Sequence, residues 1–167
     1  WAAETRAENL KAAIDDMKTA QGKDLNAKLA YFKDVLRENY GDQARAYLER
    51  HQQEITNAIV DSVQADLKGM SPTQQRHALR TIRSEMGMDS ATLERWDNLD
   101  HEREQRWNSG KDYLAERDKI MKSGSNNTES QIAELRKKYF GAEADTIAQE
   151  ESEGFYRYQG TQRIGLE

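Results

Sequence analysis

The chain has 167 residues, of which 36% are hydrophobic and 33% charged, with a net charge of −5 and no cysteine. Average globular usage is roughly 45–50% apolar, so this composition excludes a thick core and favours a thin helical body or one that completes its burial on a partner. It also excludes a disulfide frame and a thiol nucleophile, and with no dominant basic face it argues against nucleic acid as a partner.

Strong helix formers dominate, proline occurs once, at Pro72, and runs of β-branched and aromatic residues are nearly absent. The expected fold is all-α, an extended array of helical hairpins with little or no β. Acidic and basic residues alternate along the helices, the mark of solvated faces. There is no run of about 18 apolar residues and no signal-peptide pattern. The sequence opens at Trp1 without an initiator methionine, so a processed form or a fragment is expected, with any membrane anchor outside it.

In chain order, Thr5 and Glu8 read as a capping box, followed by the stripe Leu10, Ala13, Ile14 and Met17 and a stop before Gly22. A second helix from about Asp24 carries Leu25, Leu29, Phe32 and Leu36 to Gly41. A third runs to about Lys68 with Ala44, Leu48, His51, Ile55, Ile59 and Val63 on one face, and Gly69 ends it. Ser71-Pro72-Thr73-Gln74 is a restart, with a capping serine, proline at the first helical position and glutamine at the third. That helix reaches Gly87 through Leu79, Ile82 and Met86. Asp89 or Ser90 then caps a long helix running through Trp96, Trp107 and Tyr113 to Met121, with Gly110 as a point of bending. The stretch Ser123 to Ser130 reads as a flexible loop, and Thr128 with Gln131 restarts the chain toward Leu135, Tyr139 and Gly141. The expected organisation is a repeat scaffold over 1–122, the loop over 123–130, a C-terminal helical unit over 131–153 and an irregular aromatic tail over 154–167.

The helix stops repeat. Leu36-Arg37-x-x-Tyr40-Gly41, Ile82-Arg83-x-x-Met86-Gly87 and Leu135-Arg136-x-x-Tyr139-Phe140-Gly141 share one order, with one extra residue in the third copy. Glycine supplies the left-handed conformation that closes a helix, and arginine in the last turn suits the negative end of the dipole. Copies about 46 and 53 residues apart fit stacked helical hairpins.

Reactive groups do not converge. His51, His77 and His101 fall on different helices, and His101-Glu102-Arg103-Glu104-Gln105 has glutamine where a zinc protease needs its second histidine. His51 and Glu54 lie one turn apart, too few ligands for a helical di-iron site. Asp15-Asp16 and Glu150-Glu151 read as solvated carboxylates, and Asn126-Asn127-Thr128 as an exposed loop. No catalytic, cofactor-binding or metal-binding residue is expected. Trp96, Trp107 and Tyr113 are either core between packed helices or partner contacts. Phe155, Tyr156 and Tyr158 are either an interface or a tail folded back on its own helices.

The region from about Tyr31 to Glu151 resembles the helical region of the proteobacterial lipase-specific foldases, the lipase chaperones. The likeness rests on the three glycine-terminated units and on Leu99-Asp100, Arg103, Trp107, Tyr113 and Arg117, which match that family's Leu-Asp stretch and its Trp-x5-Tyr-x3-Arg spacing. The resemblance implies a non-enzymatic scaffold that wraps a secreted lipase or phospholipase in the periplasm and helps it reach its active form without ATP. The family's Arg-x-x-Phe-Asp-Tyr motif does not occur here, and the 155–158 tail has no counterpart in it. The alternative is a helical-repeat structural or adaptor protein of the bacterial envelope without foldase activity.

Overall fold

The computed structural model describes residues 2–20 and 24–166; the expected stop at Gly22 lies outside them. The fold is all-α, with no strand among the described residues. The helices are α1 (Ala2–Thr19), α2 (Leu25–Tyr40), α3 (Ala44–Arg50), α4 (Gln52–Ser62), α5 (Gln64–Lys68), α6 (Pro72–Glu85), α7 (Ser90–Lys122), α8 (Thr128–Phe140) and α9 (Ala144–Ser152). They form two compact units: Trp1–Asn98 with Arg163–Glu167, and Leu99–Gln162. The division falls inside α7, between Asn98 and Leu99.

The first unit buries the stripes read from the sequence. Met17 of α1, Phe32 of α2, Ile59 of α4 and Ile82 of α6 are at most 1% exposed. Each such side chain stabilises the fold by about 1.5–3 kcal/mol, so a thin core still suffices.

Helix starts follow side-chain chemistry. Asp24 accepts from the Ala27 N–H at 2.8 Å, Asp89 accepts from the Thr92 N–H at 2.8 Å, and Ser71 and Gln74 close both halves of a capping box. Two expected starts differ. Thr5 lies within α1, which begins at Ala2, and Thr128 is already helical, so the preceding loop ends at Asn127. The expected third helix is broken at His51 and Val63, whose φ/ψ near −115/20° and −105/20° leave the helical region.

Gly41 and Gly141 close α2 and α8 with nearly the same backbone, φ/ψ of 51/−126° and 54/−119°. Each is followed by one 3-10 turn and a new helix at Ala44 or Ala144. Counting back from the glycine, Phe140 holds the place of Tyr40, so the extra residue in the third copy is absorbed before the stop. Gly87 closes α6 differently: its N–H reaches Ser84 O and the Met88 N–H reaches Arg83 O, the paired bonds of a Schellman stop. The arginines do not simply face the dipole. Arg37 is exposed beside Asp34, Arg83 is buried, and Arg136 turns to Glu151.

Candidate functional site

In the second unit α9 carries the stripe Ala144, Ile147 and Glu151, all buried. The last position puts a carboxylate where an apolar residue is due. A buried carboxylate is costly unless paired and hydrogen-bonded, and three groups meet this one. Tyr113 of α7 donates its hydroxyl to Oε2 at 2.6 Å. Arg136 of α8 donates to Oε1 from Nε at 3.0 Å and Nη2 at 2.7 Å. Arg117, one turn beyond Tyr113, places its Nε 3.3 Å from Oε1. Burial and the bond to Glu151 push the Tyr113 phenol up to about 12, so it stays a donor throughout the neutral range. Both carboxylate oxygens are engaged, Oε2 by Tyr113 and Oε1 by the two arginines.

Around this node lies an aromatic cluster. Tyr113 meets Phe140 edge-on at 4.8 Å between centroids and Tyr139 at 5.9 Å. The Tyr139 hydroxyl donates to Glu116. Tyr158 stacks on Phe140 at 6.0 Å and meets the Trp107 edge at 5.8 Å. Gly110 makes this seat possible: a Cβ there would stand 2.1 Å from Cγ of Tyr158. Helix α7 runs unbroken through Gly110, and this glycine serves as a notch for the ring.

Residues 155–160 of the tail therefore fold back on the second unit. Lys111 donates to the Gly160 carbonyl at 2.8 Å, and Tyr156 lies under the Arg117 guanidinium at 5.2 Å. Arg157 binds Glu150 through Nε at 2.7 Å and reaches Glu143 at 3.3 Å. Phe155 differs from its neighbours, being 57% exposed. Its position is nonetheless fixed, because Gly154 at φ 85° and a bond from the Phe155 N–H to Glu150 O close α9.

Of the six aromatics read as core or partner contacts, Tyr113 takes the core alternative: at 1% exposure it is interior and not a partner contact. Trp107, Tyr156 and Tyr158 are half-buried in the second unit, and Trp96 is half-buried in the first, under Arg83 at 4.8 Å. Glu151 is the residue that sequence reasoning missed by pairing it with Glu150 as a solvated carboxylate. The signal was its spacing of four residues from Ile147 and seven from Ala144.

The remaining candidates stay apart. His51 stacks against Tyr47 at 4.4 Å with its Nδ1 3.7 Å from Glu54, while His77 and His101 are exposed. Among the described residues no group of three or more His, Asp or Glu is placed to hold a metal, and no helix is long and apolar enough to cross a membrane. Compared with protein-family models, curated proteins and solved structures, the chain matches none.

Proposed function

We propose that the chain is a non-enzymatic binding scaffold for a protein client, a steric folding helper for a secreted lipase or phospholipase in the periplasm. The observation that carries this reading is the convergence of Tyr113, Arg117 and Arg136 on Glu151. These residues belong to the stretches that resemble the foldases, and they bring together three helices, with Tyr113 and Arg117 on α7, Arg136 on α8 and Glu151 on α9. Their meeting gives that pattern a physical purpose, the locking of one helical unit. A locked unit keeps a fixed outer surface, and preorganised surfaces lose less entropy when they bind. Phe155 is exposed on that surface and backbone-fixed, the kind of aromatic anchor that carries binding energy.

Co-expression with the secreted hydrolase encoded nearest to it tests the proposal. Hydrolase activity is expected to rise severalfold when the chain is present, at equal hydrolase protein. Equal activity with and without the chain would refute the folding role, and a hydrolase that is bound but no more active would favour the envelope adaptor.

A further inference from the structure

Residues 163–166 lie outside any helix, yet the helices of the first unit hold them at every position. Arg163 pairs with Asp61 at 3.0 Å. The Ile164 N–H donates to Gln64 Oε1 at 2.8 Å, and Gln64 Nε2 donates back to the Ile164 carbonyl at 2.8 Å. One side-chain amide thus reads both polar groups of one residue, as a neighbouring strand would. Nη2 of Arg83, otherwise buried, donates to the Gly165 carbonyl at 3.4 Å.

Gly165 is required twice over. Its φ is +73°, and an added Cβ would stand 2.5 Å from Leu79 Cδ2 and 3.3 Å from Val60 Cγ1. Ile164 and Leu166, on either side, rest half-buried on the core. The core itself is built from α1 to α6, and the segment only lies against it.

We propose that the first unit carries a peptide-binding groove, formed by Val60, Asp61, Gln64, Leu79 and Arg83, for short non-helical segments of the pattern Arg–aliphatic–Gly–aliphatic. The chain's own Arg163–Leu166 is its resident, displaceable occupant. Asp61 selects the cation, Gln64 and Arg83 read backbone that any sequence presents, and the Leu79–Val60 wall selects glycine. The contacts number one exposed ion pair, a few hydrogen bonds and two half-buried side chains, which is the range of reversible binding. Tethering sets the effective concentration of the resident segment at about millimolar. An intrinsic Kd of about 10–100 μM then keeps the groove about 90–99% filled in cis, so a peptide in trans competes poorly until the resident leaves.

The test uses the full chain and a fluorescent peptide of sequence TQRIGLE, read by anisotropy. The Gly165→Val chain, its own segment expelled, is expected to bind the peptide at least about tenfold more tightly than the wild type. Adding Gln64→Ala to Gly165→Val should weaken that binding about tenfold or more, and a peptide with valine for its glycine should not bind. A Gly165→Val chain with unchanged helical signal and no peptide binding overturns the proposal. If Gly165→Val does not fold, a wild-type chain carrying a protease site between Gly160 and Thr161 decides. After cleavage the helical signal should persist and the released segment should exchange with labelled peptide. Unfolding on cleavage, or no exchange, overturns the proposal as well.

Discussion

Replacing Glu151 by leucine should destabilise the second unit by about 3–5 kcal/mol, read as a lower urea midpoint in Trp107 emission. The reason is asymmetry. Glu151 is 8% exposed, and removing its carboxylate leaves the Arg117 and Arg136 guanidiniums and the Tyr113 hydroxyl aimed at an apolar side chain. Glu151→Gln keeps the shape and one acceptor, so its loss should be smaller. Glu151→Leu combined with Arg136→Met should recover part of the stability, because it removes both partners and fills the space. The exposed pair Arg37–Asp34 gives the contrast, since breaking it should cost under about 1 kcal/mol. A loss below about 1 kcal/mol for Glu151→Leu would mean that the node is solvated.

The second large effect is a change of sign at Gly110. In an ordinary helix interior, glycine to alanine stabilises by about 1 kcal/mol. Here the new methyl would occupy the place of the Tyr158 ring, 2.1 Å from its Cγ. Overpacking of this kind costs about 1–3 kcal/mol, and the ring also loses its contacts with Phe140 and Trp107. Gly110→Ala should therefore destabilise the wild type and shift Trp107 emission. In a Tyr158→Ala chain the same substitution should stabilise by about 1 kcal/mol. This double-mutant cycle isolates the seat of the ring; stabilisation in both backgrounds would mean that Tyr158 does not rest there.

Much of the fold was legible from local chemistry. Asp24, Ser71-Pro72 and Asp89 start helices by accepting backbone N–H groups or fixing φ, and Gly41, Gly87 and Gly141 end them at φ of 51°, 89° and 54°. Both effects act within four residues, so sequence alone carries them. The misplaced start at Thr5 shows the limit, because a capping pattern inside a helix looks the same in one dimension. The site was less legible because it depends on contacts between distant residues. Glu151 looks like any surface glutamate until Tyr113 and Arg136 close on it from 38 and 15 residues away. Gly110 looks like a helix weakness until Tyr158 is laid across it. Helical spacing alone left Tyr113 open between core and partner contact, and only its packing against Phe140 and Glu151 draws it in.

The proposed role is to bring a secreted hydrolase to its active form through a locked helical scaffold without chemistry of its own. Its most direct measurement is refolding of the denatured hydrolase, with and without one equivalent of the purified chain and with no nucleotide. Recovered hydrolase activity is expected to rise severalfold and to saturate near one chain per hydrolase. Recovery that is the same with and without a fully folded chain would rule out that role.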